Sequence, residues 1–317
     1  MVGRGETTDA AWARIEPLLP QRDGAGRPWR DHRQVVNGVL WRVRTGAPWR
    51  DLPERYGPWQ TVYRRFARWE KDGTWAALLR EVQVRSDAVG SVEWAVAIDS
   101  TVARAHQHAA GARKKGTGPE DESDDPAAVA RREALGRSRG GLTTEIHLAV
   151  DGRGLPLSIL LSTGNTADCT MLPAVLDAIR VPRTGGGRPR TRPDRVAADK
   201  AYSSRKIRRL LRRRRIKAAI PEHRDQIAGR ASRASRASRA SRASRASRAS
   251  RASRASRGGR PPAFDRAAYK GRNVVERCFA KLKQFRAVAT RFDKLANRYR
   301  AGVVLASLIL WLRAEEQ

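Results

Sequence analysis

Only two cysteines occur in the chain, Cys169 and Cys278, far apart and outside any metal-binding spacing. That excludes a disulfide framework and a cysteine-based zinc module, and it suits a reducing cytosol. Long apolar runs are missing as well. None reaches the roughly 18–20 residues that a bilayer crossing needs, and the longest, residues 301–312 (AGVVLASLILWL), reads as a buried helix. The N-terminus lacks a basic-then-apolar leader, so a cytoplasmic, nucleoid-associated location is expected and no membrane partner is. Carboxylates are in deficit, 32 against 65 basic residues, for a net charge of +33 and a pI of about 11.6. Such an excess points to a polyanion, nucleic acid before an anionic membrane surface. Lysine is scarce too, 10 against 55 arginines. A GC-rich coding sequence gives the same bias, so arginine abundance alone carries less weight than the charge suggests.

A chain of 317 residues has room for two domains. Eight of the nine tryptophans precede residue 95, which marks residues 1–90 as a helical domain with its own aromatic core. Thr8 or Asp9 caps a first helix ending near Pro20, and residues 31–44 form a second. After the turn-rich TGAPWRDLPERYGP, residues 59–71 (WQTVYRRFARWEK) resume helical spacing. Val62, Phe66 and Trp69 make the buried side, and Gln60, Arg64, Arg65 and Arg68 point largely outward. Helix, turn and basic helix suggest a helix-turn-helix-like DNA reader; the plainer alternative is a small bundle with solvated arginines.

Beyond residue 92 the period changes to that of strands. EWAVAIDST (93–101) runs to Asp99; LTTEIHLAVD (142–151) and LPLSILLS (155–162) form a hairpin about DGRG. A helix over 171–179, a short strand over RVAADKAYSS ending on Asp199, a basic helix (206–215) and a fifth strand, IKAAIP, complete a mixed α/β layer. Residues 230–257 are RAS repeated nine times and closed by one arginine. Their period of three matches neither helix nor strand and offers nothing large to bury, so a disordered insertion is expected. It reads as an arginine-rich arm for phosphate or, as favoured, an expanded surface loop, since closure entropy grows slowly with length. The net charge without it is still +23.

Three carboxylates stand out by position: Asp99 and Asp199 at strand ends, and Glu276 on the helix read over 269–283 (YKGRNVVERCFAKLK). At about 100° per residue, Tyr269, Arg272, Glu276 and Lys283 share a stripe roughly 60° wide. Val274, Val275, Cys278, Leu282 and Phe285 take the opposite, buried side. In so basic a chain, aligned carboxylates suit phosphodiester chemistry. Paired divalent metals activate the attacking oxygen and relieve the leaving one, and Mg²⁺ takes carboxylate oxygens. Arg272 and Lys283 would hold phosphates beside them. Weaker candidates are His106 and His108 as a metal pair, the acidic run 120–125 as a solvated loop, GRSRGG (136–141) as a phosphate cradle, and Ser203 and Ser204, which find no triad histidine.

The Y-x2-R-x3-E-x6-K spacing of Tyr269, Arg272, Glu276 and Lys283, with AIDSTVARAHQH, GRSRGGLTTEIHLAVDGRGLPL and AADKAYSS, resembles the DDE transposases of the insertion-sequence-five family. The likeness spans nearly the whole chain outside the RAS tract. It implies a ribonuclease-H-like catalytic domain (91–229 and 258–317) behind an N-terminal DNA-binding domain. Asp99, Asp199 and Glu276 would be catalytic ligands of Mg²⁺ or Mn²⁺, two ions in all. Tyr269, Arg272 and Lys283 would contact DNA. The partners implied are the element's terminal inverted repeats and a target duplex, handled by a homodimer or larger assembly. Cleavage by water and joining of a 3′-hydroxyl would proceed without a covalent protein–DNA intermediate. A decayed DNA-binding relic and a related nuclease on the same fold are the alternatives. Two departures from the family are expected to matter. The RAS tract stretches the Asp199–Glu276 spacing to 77 residues, and Glu145 stands where a basic, phosphate-contacting residue is expected.

Overall fold

The structure, a computed structural model, describes residues 5–21, 29–110, 133–138, 140–244 and 262–316. The acidic run 120–125 and the RAS repeats beyond Ser244 lie outside the described residues.

Up to residue 91 the described residues form helices and 3₁₀ turns only. Thr8 caps α1 (Asp9–Ile15) by accepting from Ala11 N; Pro17 tightens Glu16–Leu18 into a 3₁₀ turn, so the helix stops short of Pro20. Asp31 caps α2 (His32–Thr45), which ends on Gly46 at φ +70°. α3 spans Trp59–Lys71. Thirteen residues with two 3₁₀ turns join α2 to α3, more than the three or four of a tight helix-turn-helix. α4 (Thr74–Ala88) comes directly after and buries Trp75, Leu78, Leu79 and Val82, positions one helical face apart.

The rest is built on one mixed seven-stranded sheet. β1 (Ala95–Ala105) is central. It pairs antiparallel with β3 (Gly141–Val150), which carries β2 (Gly136–Ser138) at one end and β4 (Pro156–Thr163) along the remainder. On its other edge β1 runs parallel to β5 (Arg195–Ala197), itself parallel to β6 (Lys217–Ala219), and its far end meets β7 (Thr290–Arg291). The expected hairpin is β3–β4. At its turn Gly154 holds φ +85°, and a Cβ there would lie 3.1 Å from Val274 O, so glycine is required. Of GRSRGG, Gly136–Ser138 form β2 and Gly141 begins β3, with Ser138 paired to Gly141.

Helices connect the strands: α5 (Gln107–Ala110), α6 (Asp168–Asp177), α7 (Arg205–Arg213) and the longer α8 (Arg224–Ser244). The disorder expected for the whole RAS tract is corrected here: α8 runs through its first half, to Ser244. Alanine and arginine are among the strongest helix formers, and the helix is already nucleated at Arg224. The helix expected over 269–283 is also divided. α9 (Arg266–Lys270) ends at Gly271, and α10 (Asn273–Lys283) restarts from Arg272 as N-cap. α11 (Arg286–Ala289) leads to α12 (Ala296–Ala314), in which residues 301–312 are all buried. α12 lies between α4 and β4, and Trp311 Nε1 donates to Pro156 O at 2.8 Å. No helix among the described residues is long and apolar enough to cross a membrane.

Candidate active site

Parallel pairing of β1 with β5 brings two of the expected carboxylates to one edge. Ala97 faces Ala197, and Asp99 and Asp199 each stand two residues further on, Asp199 just past the end of β5 and Asp99 within β1, which runs on to Ala105 and so corrects the strand end expected at Asp99. Asp199 Oδ1 accepts from Ala201 N at 2.7 Å and so caps a 3₁₀ turn, Lys200–Tyr202. Asp99 Oδ1 accepts from its neighbour Ser100 N. Burial, with the charges of Asp199 and Asp168 adding to it, raises the Asp99 carboxyl above its ordinary range despite Ser100 N and Arg272.

The third carboxylate comes from α10, which packs on the same face of β1. Val274, Val275, Cys278, Leu282 and Phe285 are buried as expected, and Phe279 joins them. Glu276 is left half exposed in the first turn. Arg272 ties Glu276 to Asp99: Nη1 donates to Asp99 Oδ2 at 2.8 Å and Nη2 to Glu276 Oε1 at 2.6 Å. Burial disfavours its charge, but Asp99, Glu276 and Tyr269 outweigh that and hold its pKa above the usual value. The guanidinium sits 5.7 Å over the Tyr269 ring. Two residues along β1 on this face, Lys283 Nζ donates to Thr101 Oγ1 at 2.7 Å and to Val102 O at 3.2 Å, and burial lowers its pKa. Asp99, Glu276 and Arg272 are thus in direct contact, with Asp199, Lys283 and Tyr269 around them.

The other face of β1 carries a polar group that the sequence pattern does not announce. Ser100 Oγ donates to Asp168 Oδ1 (2.7 Å) and Glu145 Oε1 (3.0 Å). Pairing of Ser100 with His147 and of Val102 with Glu145 puts both β3 side chains on that face. Glu145 therefore lies buried, on the face of β1 turned away from Lys283 and Arg272. Burial and the nearby Asp168 push the Glu145 carboxyl up to about 7, while burial pushes the His147 imidazole down to about 4. Asp168 opens α6, three residues before the helix expected from Met171; an acid at a first turn is the signal that marks it.

The raised Glu145 value sets the sign of its effect on stability. Below its ordinary 4.5 it is protonated in both states; between 4.5 and 7 the unfolded chain ionises first, so folding stability falls as pH rises. In chelator, Glu145→Gln should melt close to wild type at pH 5 and above it at pH 7.5. Equal melting temperatures at both pH values would refute the buried-carboxylate assignment.

On α3, Arg64 and Arg68 are exposed, but Arg65 is not, which corrects its outward placement. Its guanidinium stacks on Trp29 (4.1 Å) and Trp69 (5.2 Å), and Nη1 meets His32 Nδ1 at 2.9 Å. His106 meets His108 edge-on and Phe292 at a tilt beside a cleft of about 1220 Å³. Neither belongs to a metal-competent group among the described residues. Ser203 Oγ bonds Gln226 and Arg208 and has a structural role.

Two family models match the chain. Residues 90–311 match one described as "Transposase DDE domain". Residues 7–79 match "Putative transposase of IS4/5 family". Among curated relatives, an "Uncharacterized protein y4sN" of Sinorhizobium fredii is 41% identical over 33% of this chain and 82% of its own length. A "Putative transposase for insertion sequence element IS402" of Burkholderia cepacia is 30% identical over 57% of this chain and 69% of its own. The "Putative transposase for insertion sequence element IS6501" of Brucella ovis is 28% identical over 54% of this chain and its full length. No solved structure matches the chain.

Proposed function

The chain belongs to the DDE transposases of the IS4/5 group, and from that premise we propose that it cuts DNA at the ends of an insertion sequence and joins the freed 3′-hydroxyl to target DNA. Membership implies a DNA substrate, a divalent-metal requirement and a ribonuclease-H-like core. The observation that carries the finer reading is the meeting of Asp99 and Glu276, from opposite ends of the catalytic region, on one guanidinium beside Asp199.

The residues fit a hard divalent cation. Asp99, Asp199 and Glu276 offer carboxylate oxygens only, and two of them already share a positive group, a donor set suited to Mg²⁺ or Mn²⁺. When bound, a metal pair activates the attacking oxygen and relieves the leaving one. The chain's own residues do the positioning. Arg272, freed from the two carboxylates it now neutralises, turns its bidentate fork to a phosphate. Lys283 supplies a point charge at the rim of β1. Tyr269 steers the strand and is not a nucleophile. Exposed Arg205, Lys206, Arg209, Arg212 and Arg213 on α7 add a basic flank. Two element ends must be held together, so the working form is at least a dimer on DNA.

The test is incubation with Mg²⁺, a linear duplex carrying the inverted repeats that flank the coding region, and a supercoiled target. Covalent joining of a repeat-end 3′-hydroxyl to the target is expected. Cleavage without joining would instead indicate a nuclease, and binding without cleavage a relic. For α3, Arg64→Ala with Arg68→Ala should weaken duplex binding and lower the salt slope by about 0.9 for each phosphate no longer neutralised. Arg65→Ala should act on stability, about 1–2 kcal/mol, through its desolvated cation–π contacts. An unchanged salt slope in the Arg64/Arg68 variant would remove α3 from the DNA surface.

A further inference from the structure

The polar group behind the active site has the makings of a second, separate site. Asp99 and Thr101 point toward Arg272 and Lys283, while the intervening Ser100 points the other way, to Asp168 and Glu145. There, one ligand atom each from Glu145, His147 and Asp168 lies within 4.8 Å of the others.

Three observations say that the group is incomplete as a purely protein cluster. Two carboxylates, the buried Glu145 and the half-buried Asp168, face each other, and among the described residues neither pairs with an arginine or lysine, in contrast to Asp99 and Glu276. The His147 side chain is 1% exposed and brings Nε2 to 3.9 Å from Glu145 Oε2 and 2.7 Å from Ser162 Oγ, while its Nδ1 has no hydrogen-bond partner. The Tyr202 hydroxyl, on a side chain 1% exposed, is also unpartnered, and its ionisation is suppressed by burial and then by Asp168, Asp99, Asp199 and Glu145. Buried polar atoms are normally satisfied, and like charges this close need a proton or a cation between them. A tetrahedral shell of radius about 2.0–2.2 Å sets its ligand atoms roughly 3.3–3.6 Å apart, so binding requires the three side chains to draw in from their present separations.

We propose that Glu145, His147 and Asp168 form a binding site for one first-row divalent metal cation, Zn²⁺ or Mn²⁺, on the face of the sheet opposite Asp99. One imidazole with two carboxylates selects that class over Mg²⁺, which prefers oxygen alone. Asp168 lies in the first turn of α6 and the other two ligands on β3, so the ion pins that helix to the sheet directly behind the catalytic strand. The proposal is independent of the transposase reading.

The experiment uses the full chain with Asp99→Asn, Asp199→Asn and Glu276→Gln, so that the active-site carboxylates hold no metal. This parent is titrated with Mn²⁺ by electron paramagnetic resonance and with Zn²⁺ by metal analysis after dialysis; Co²⁺ reports on the imidazole through its visible spectrum. One ion per chain is expected, with affinity falling tenfold or more on adding His147→Asn. Adding Glu145→Lys, which replaces one carboxylate with an ammonium beside Asp168, should raise the melting temperature of the metal-free protein and abolish its further rise with Zn²⁺. That second variant decides the matter if His147→Asn folds poorly. No bound ion in the parent would overturn the proposal, and so would binding unchanged in both variants. A parent that gains stability only by protonation at low pH, with nothing added by metal, would overturn it in favour of a shared proton.

Discussion

Asp99→Asn, Asp199→Asn and Glu276→Gln should each abolish metal-dependent strand cleavage while leaving duplex affinity unchanged or slightly raised. The amides keep size and one acceptor each: a glutamine carbonyl at position 276 still accepts from Arg272, and an asparagine carbonyl at position 99 still accepts from Ser100 N, although its amide nitrogen gives up the Arg272 contact of Asp99 Oδ2. What they lose is the charge that holds a divalent cation. A metal pair supplies several kcal/mol to the transition state, so each substitution costs about 10³-fold or more in rate. DNA affinity moves the other way, because each change deletes a negative charge where a phosphate must approach. The two readouts therefore separate, which a misfolded variant does not allow. Asp177→Asn, an exposed carboxylate of α6 paired with Arg214, is the control and should cut at the wild-type rate. Cleavage surviving in the triple amide variant would exclude these three residues as the catalytic set.

How much of this was legible depends on which forces the sequence pattern reports. α3, the β3–β4 hairpin and the buried run 301–312 match their expected limits closely, because burial alone sets their period. The outward side of Glu276 follows a local helical period, but β1 runs on past Asp99 to Ala105 and the helix breaks between Tyr269 and Glu276, because pairing with β3 and the turn at Gly271 are not encoded in those periods. Arg272 shows the limit. Its wheel position gave its direction, but whether its fork meets a phosphate or two carboxylates depends on β1, 173 residues away. Arg65 failed for a different reason. At about 100° per residue it falls roughly 60° from Val62, beside Trp69, whereas Arg64 and Arg68 fall 120° or more away. The angle placed it inside; its charge suggested otherwise, and Trp29 with His32 resolved the conflict by stacking and hydrogen bonding. The Glu145–His147–Asp168 group joins neighbours on β3 to a helix start, and no local period encodes that meeting.

Arg291→Leu should be the most destabilising single change among the arginines, and nothing in a chain with 55 of them distinguishes it by sequence. Its side chain is fully buried. Nη1 donates to Glu133 O at 2.6 Å and Thr144 Oγ1 at 2.7 Å, Nη2 to Lys294 O at 2.7 Å, and Nε to Asp293 O at 3.0 Å. One guanidinium thus joins β7, the segment before β2, β3 and the approach to α12. Leucine fills much of the volume but donates nothing, so these acceptors go without a donor where water enters poorly. Each unsatisfied acceptor costs about 1–3 kcal/mol, and with partial relaxation the sum is about 3–5 kcal/mol, or roughly 10 °C in melting temperature. Lysine keeps the charge but not the fork, so Arg291→Lys should recover less than half. Arg209→Leu, on the exposed side of α7, should stay within about 0.5 kcal/mol. Hydrogen exchange gives the sharper readout. Arg104 and Ala105 of β1 pair with Thr290 and Arg291, so loosening should appear there first and reach Thr101, where Lys283 is seated. Uniform loss of protection across the sheet would mean that Arg291 supports the fold generally and does not secure this end of the catalytic strand.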